Sequence, residues 1–257
     1  LPVDEAVPVA RGLRRAGSQL ALAVSFLTIL PVRVRAPGSL GGAAAWFPAV
    51  GALIGALAGG VRYATEPLVG PAAGTVLAMA TLVVATGALH QDGLADTADG
   101  LGVRGDRERR LAVMRDSATG AFGTLALFGW SLLLLTALQP LSNAEALAAL
   151  VAAAALGRWA ALVHAAAAPP ARPDGLGAGF TLGRGALLFA TACAVAIAGV
   201  ACGPLPGLAA LGAALAVGVL SALAARRLIG GRTGDTIGAT VALVELAVCT
   251  TLLAVWR

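Results

Sequence analysis

The chain has 257 residues, enough for one large domain, but 58% of them are hydrophobic and only 12% are charged. That is about half the charged share of a soluble globular domain, which excludes a water-soluble fold and points to an integral membrane protein. The formal net charge of +5 comes from 18 basic residues, all arginine, against 13 acids. Because the arginines are scattered over short loops with no aromatic-interleaved basic run, a nucleic-acid surface is excluded as well.

In chain order, the first apolar stretch is Ser18 to Val32, only fifteen residues, with Arg11, Arg14 and Arg15 before it and Arg33 and Arg35 after it. It is short of the roughly 20 residues that cross a bilayer and positive at both ends, so it predicts a re-entrant or interfacial helix with both ends cytoplasmic. A signal peptide is the weaker reading, since no small-x-small cleavage site follows. Seven spanning helices are then predicted at Ala43 to Val61, Gly70 to Leu89, Ala121 to Leu138, Ala144 to Ala168, Gly185 to Cys202, Leu205 to Leu223 and Ile237 to Trp256. The fold class is thus all-α, a polytopic integral membrane helix bundle. With no repeat, linker or composition shift, residues 1–257 read as a single integral membrane domain. This topology sends fifteen arginines to one face and only Arg62 and Arg257 to the other. By the positive-inside rule the rich face is cytoplasmic, as for a multi-pass protein of a bacterial inner membrane. Gly51, Gly55 and Gly59 form a double GxxxG that lets another helix approach closely. Cys193, Cys202 and Cys249 lie in apolar segments without metal-ligand spacing and read as packing residues.

The chemistry concentrates on the arginine-rich face. In "HQDGLADTADG", residues 90–100, Asp92, Asp96 and Asp99 stand at i, i+4 and i+7. If the preceding helix continues, they project within about 60° of one another, and their repulsion calls for a cation. Mg²⁺ typically takes one or two protein carboxylates together with substrate phosphate oxygens, so three acids on a face suit half of such a site. The bland alternative is a solvated acidic turn. In "DRERRLAVMRDS", residues 106–117, Asp106 is a helix N-cap that leaves Arg107, Arg110 and Arg115 available for phosphate oxygens. In "GGRTGDTIGA", residues 230–239, Arg232, Thr233 and Asp235 sit at the mouth of the last helix, whose N-terminal dipole favours anions. Glu245, about two turns further in, and Arg158 are charges at membrane depth and so functional candidates. His164 has no evident partner and reads as a packing residue.

These stretches resemble the cobalamin synthase family, the adenosylcobinamide-GDP ribazoletransferases. The likeness runs from "FLTILPV" at 26–32 and "WFPAVGALIG" at 46–55 through "GALHQDGLADTADGL" at 87–101 and "MRDSATGAFG" at 114–123 to "TGDTIGA" at 233–239. It implies a Mg²⁺-dependent phosphotransferase that joins the cobinamide phosphate of adenosylcobinamide-GDP to α-ribazole or its 5′-phosphate and releases GMP. Under it, Asp92, Asp96 and Asp99 are metal ligands, with Asp116 and Asp235 completing the charge. His90 is the general base or hydrogen-bond partner of the attacking hydroxyl. Arg115, Asp116, Ser117, Arg232, Thr233, Asp235 and Glu245 contact substrate. Further partners on this reading are the lipid bilayer, other membrane-bound enzymes of the corrin pathway and a second copy of the chain. Ile29, Gln91, Ala118 and Ala242 depart from the family's usual residues. The rival classes are a CDP-alcohol phosphotransferase, which requires Ala-Arg where "DGLADT" has Asp-Thr, a prenyltransferase, which carries a second Asp-rich motif, and a cation-coupled transporter, which places its acids near mid-membrane.

Overall fold

The computed structural model describes residues 6–34, 39–174 and 181–257. Arg35 lies outside the described residues, as do the side chains of Arg11 and Arg14. The helices are α1 (Ala6–Leu27), α2 (Leu40–Ala43), a 3-10 turn (Ala44–Trp46), α3 (Phe47–Ala85), α4 (Leu89–Gly102), α5 (Arg107–Val113), α6 (Ala121–Leu138), α7 (Asn143–Ala167), α8 (Arg184–Cys202), α9 (Pro204–Ile229) and α10 (Gly234–Trp256). Among the described residues the only β pairing is an isolated parallel bridge between Pro170 and Arg232. An all-α architecture meets what lipid demands, because a helix satisfies its backbone polar groups internally.

Among the described residues, six continuous stretches are long and apolar enough to cross a membrane: residues 40–85 and helices α6 to α10. The first contains two of the seven predicted spans. Within α3, Gly70 takes φ 81° and ψ 168° between Pro67 and Pro71. A Cβ placed on Gly74 would lie 3.2 Å from the Cα of Glu66, eight positions earlier and about 12 Å away along a straight helix. The chain therefore doubles back at Gly70, and α3 is a hairpin of two limbs. α1 is not among the spanning stretches; its C-terminal end rests on the start of α3, where Phe26 stacks on Phe47 with ring centres 5.7 Å apart.

α7 is the central helix, packed against α3, α8, α9 and α10. Its contact with the first limb of α3 runs along the predicted glycine stripe. Added Cβ atoms would meet the carbonyl oxygen of Ala154 at 2.4 Å from Gly51 and that of Leu150 at 2.2 Å from Gly55, while one on Gly59 would strike Leu147. No side chain fits there, so the backbones touch.

The two ends of the bundle differ. At one end the Arg62 guanidinium, 0% exposed, donates to the carbonyls of Leu138 and Leu141, each at 2.6 Å, and pairs with Glu66. Arg257 reaches the Pro140 carbonyl beside it. Thus Arg62, read from sequence as a charge on the arginine-poor face, is a buried cap on the end of α6. At the other end, α4, α5, the loop after α7 and the turn before α10 meet. Arg107 donates to the carbonyls of Ile229 and Ala171, and the Ala171 and Arg232 amides donate to Arg232 and Pro169 carbonyls at 2.8 and 2.7 Å.

If backbone contact sets the α3–α7 spacing, Gly55→Leu lowers the thermal midpoint of detergent-purified protein strongly, since overpacking typically costs about 1–3 kcal/mol. Gly60→Ala, where an added Cβ meets nothing within 4 Å, leaves the midpoint unchanged or higher; equal losses at the two positions would count against this account.

Candidate active site

The acidic segment does not continue the helix before it. Gly87 and Ala88 both take left-handed backbone conformations, with φ 59° and 60°, and α4 starts afresh at Leu89. Asp92, Asp96 and Asp99 still share one helix, but a break now sets its direction. α4 crosses α10 where neither has a side chain: a Cβ on Gly93 would lie 2.7 Å from the Asp235 carbonyl oxygen and 3.2 Å from the Cα of Gly238. α10 is held at its start by a reciprocal cap, in which the Thr236 amide donates to Thr233 Oγ1 at 3.1 Å and the Thr233 amide to Thr236 Oγ1 at 2.9 Å. Thr233 is therefore a capping residue.

This crossing brings Asp92 and Asp96 to Asp235. Burial, and then the neighbouring charges of Asp92, Asp235 and Asp99, push the Asp96 carboxyl up to about 6. The cation facing Asp235 is Arg172, with Nη2 at 3.2 Å from Oδ2. Sequence reasoning misses Arg172, because the "PPARPDG" loop carries neither periodicity nor a motif. Hard oxygen donors crowded closely enough to raise one another's proton affinity fit a divalent cation. Among the described residues no three acidic, histidine or cysteine side chains converge as a ready-made cage. The donor set present suits an ion that shares its ligands between protein and phosphate.

The other predicted residues divide by what they touch. The buried Asp99 carboxylate accepts from the amides of Gly120 at 2.7 Å and Gly123 at 2.9 Å, capping the N-terminus of α6. Added Cβ atoms on those glycines would lie 2.6 and 2.4 Å from its oxygens. Asp116 and Ser117 are exposed in the loop before α6, where Asp116 accepts from the Ala118 amide at 3.0 Å. Arg115 pairs with Asp174 at 2.5 Å. The Arg232 guanidinium donates to the carbonyls of Ala165 and Ala168 at the end of α7. Arg107 and Arg110, expected to be available, are also engaged: Arg110 donates to the Leu101 carbonyl at 2.7 Å and to Gly105. Glu245 and Arg158 pair with each other, 2% and 1% exposed. His164 has a partner after all. Its Nδ1 lies 2.7 Å from Thr240 Oγ1, whose own hydroxyl donates to the Thr236 carbonyl, so the imidazole is the donor.

Beside the acids opens a cavity of about 230 Å³. Asp92 and Asp235 stand at its mouth, and its walls include Phe26, Leu27, Phe47, Leu89, Ile237 and Val241, with His90 and Arg158 as the inner polar groups. Both His90 ring nitrogens are buried without a protein hydrogen-bond partner, as is Arg158 Nε. Burial, then the Arg158 charge, holds the His90 imidazole well below its usual range, hence neutral. The apolar walls come from six helices spread along the chain, α1, α2, α3, α4, α7 and α10, which is why spacing within the sequence does not reveal them.

A family model described as Cobalamin-5-phosphate synthase matches residues 19–253. A protein of Desulforamulus reducens named adenosylcobinamide-GDP ribazoletransferase is 38% identical over 232 residues, covering 89% of this chain and 93% of the relative. One of the same name from Bradyrhizobium diazoefficiens is 40% identical over 246 residues, covering 91% and 92%. A third, from Deinococcus radiodurans, is 39% identical over 232 residues, covering 89% and 83%. No solved structure matches the chain significantly. With the match running through nearly every helix, α4 and α10 of the acidic crossing included, the chain belongs to the cobalamin-5-phosphate synthase family.

Proposed function

We propose that the chain is an adenosylcobinamide-GDP ribazoletransferase working at the end of nucleotide-loop assembly. A ribose hydroxyl of α-ribazole, or of its 5′-phosphate, attacks the cobinamide-bound phosphorus of adenosylcobinamide-GDP. The new P–O bond forms as the bond to the second phosphate breaks, GMP leaves, and the hydroxyl proton passes to water at the cavity mouth. The observation that carries this reading is the meeting of Asp92 and Asp96 with Asp235 beside an open cavity, in a chain 38% and 40% identical to ribazoletransferases of two different bacteria. Phosphoryl transfer depends on positioning and charge neutralisation more than on a protein nucleophile.

Asp92, Asp96 and Asp235 would hold Mg²⁺, with Asp99 and Asp116 further out. When bound, the ion supplies neutralisation of the charge on the bridging and departing phosphate oxygens. Arg172 and Arg115, each already paired with an acid, stand where a guanidinium can turn toward an incoming phosphate. His90 lies in the cavity wall with both ring nitrogens unpartnered, available to the acceptor. Asp99 acts at one remove: by capping α6 it fixes the last turn of the helix that carries Asp92 and Asp96.

The arginine-rich end, with the acids and the cavity mouth, faces the cytoplasm of a bacterium whose inner membrane the bundle spans. Nucleotide substrates are made on that side. The bilayer is its permanent partner, and neighbouring corrin-pathway enzymes or a second copy of the chain would join it laterally.

Lipid-reconstituted protein given adenosylcobinamide-GDP, α-ribazole and Mg²⁺ should release GMP, and chelation should stop it. No GMP under conditions in which a named relative turns over refutes the assignment. The acids separate by stability. Asp96 binds its proton more tightly folded than unfolded, so its ionisation costs stability over the range from its ordinary value near 4 up to about 6, and the full cost stands at pH 7. In chelated protein at pH 7, Asp96→Asn therefore keeps or raises the thermal midpoint while abolishing turnover. Asp99→Ala instead lowers the midpoint, by about 1–2 kcal/mol of lost capping; a midpoint loss for Asp96→Asn alone contradicts this division. Orientation is checked by cysteine labelling: Gln139→Cys should react with an impermeant maleimide in intact spheroplasts and Ser117→Cys only after permeabilisation, and the reverse pattern inverts the topology.

A further inference from the structure

The cavity beside the acids is larger than a phosphate needs and unlike a phosphate site in its lining. Its outer rim carries Asp92 and Asp235; further in, the walls are Leu27, Phe47, Leu89, Leu162 and Val241. Along α10 it extends from Gly234 to Val241, seven positions, or about 10 Å of helix. An apolar protein cavity of about 150 Å³ accepts one benzene, so about 230 Å³ with an open mouth suits a flat bicyclic ring. Its inner polar groups are His90, with two buried unpartnered ring nitrogens, and Arg158, whose Nε is likewise unpartnered. An unpartnered polar group in the wall of an apolar pocket selects a ligand that can meet it.

We propose that this cavity is the subsite for the aromatic base of the acceptor nucleoside, with His90 donating a hydrogen bond to the ring nitrogen that does not carry the ribose. The proposal rests on the transferase reading above. Among the parts of the two substrates of that reaction, the corrin macrocycle is several times too large for the cavity. Guanine presents a donor-and-acceptor edge that apolar walls leave unmatched. The phosphates belong with the acids at the rim. A benzimidazole fits on each count: it is planar and apolar, and once attached to ribose it offers a single free lone pair. Placing it inward leaves its ribose at the rim, where a hydroxyl meets phosphorus held beside Asp92 and Asp235. The subsite thereby doubles as a selectivity filter, because a purine base would bury further ring nitrogens, and an amino group where present, against leucine, phenylalanine and valine.

The test measures binding apart from turnover. Equilibrium dialysis of the full-length protein in lipid nanodiscs would use α-ribazole, its adenine α-nucleoside counterpart, an indole counterpart lacking the free nitrogen, and adenosylcobinamide-GDP. Two substitutions fill the cavity from different helices, Ala161→Leu on α7 and Ile237→Phe on α10, so that one remains if the other fails to fold. Each should weaken α-ribazole about tenfold or more while changing adenosylcobinamide-GDP by no more than about twofold. Wild-type protein should prefer α-ribazole to the adenine and indole nucleosides by about tenfold, and His90→Phe should erase the preference over indole. Unchanged α-ribazole binding in a folded cavity variant, absent binding to wild type, or loss confined to adenosylcobinamide-GDP overturns the subsite. A benzimidazole-over-indole preference that survives His90→Phe overturns the histidine contact. If wild type binds α-ribazole in this pattern yet releases no GMP, the transferase reading fails and the subsite stands.

Discussion

At the Gly93 and Gly238 crossing, two helices approach until main chain meets main chain, and every feature of the acidic centre depends on that contact. α4 brings Asp92 and Asp96; α10 brings Asp235 and one wall of the cavity. Like charges brought together in this way oppose the packing, by a few tenths of a kcal/mol for each pair at helical spacing and more where water is scarce. The opposition is met by Arg172 on one side and by the fit of glycine against glycine on the other. A side chain at Gly93 would hold the helices apart and undo the burial and mutual electrostatics that raise Asp96. The crossing is thus a positioning device for charge, built from residues that carry none.

A second constraint governs the arginines. Each helix that ends at the edge of lipid leaves carbonyls without intrahelical partners, and these are costly where water is sparse. A guanidinium offers five donors in a rigid fork and can serve two carbonyls at once. Arg62 does so for the end of α6, Arg232 for α7 and Arg110 for α4, while Arg107 joins the end of α9 to the loop after α7. Arg226 adds a contact to the Ala167 carbonyl. This capping suits the rigid fork of arginine better than the compact ammonium of lysine. It also narrows the phosphate-binding candidates to Arg115 and Arg172, the two whose partners near the centre are carboxylates.

What the sequence discloses follows from which forces are local. Hydropathy over about 20 residues is a local sum, so the spanning segments and the GxxxG stripe of α3 are legible, and the arginine asymmetry orders the loops. The hairpin at Gly70 is written in its flanking prolines, Pro67 and Pro71. The helix break before α4 is harder: Ala88 holds a left-handed conformation that its side chain does not advertise. The acidic centre is half legible. Asp92, Asp96 and Asp235 stand out by type and spacing, whereas Asp99 looks like their equal and is distinguished only by the amides of Gly120 and Gly123, more than twenty positions away. Arg172 and the cavity walls arise from tertiary proximity alone.

Arg158 and Glu245 complete the picture from beneath the cavity. Removing two charges from water is expensive, and a buried pair of this kind contributes little net stability compared with well-packed apolar residues. Its value lies in register. Apolar helices in a lipid-like interior slide or rotate against one another at small cost, because one methyl contact resembles the next; a single ion pair between α7 and α10 permits one alignment. Trp130 donating to the Ala242 carbonyl at 3.0 Å pins α10 to α6, and His164 donating to Thr240 pins it to α7 again, nearer the acidic end. Held by these polar contacts and by glycine packing on α4, α10 cannot shift by a turn without breaking several at once. The cavity wall and Asp235 are parts of that same helix, so the distance between the inner pocket and the acids is fixed by the bundle itself.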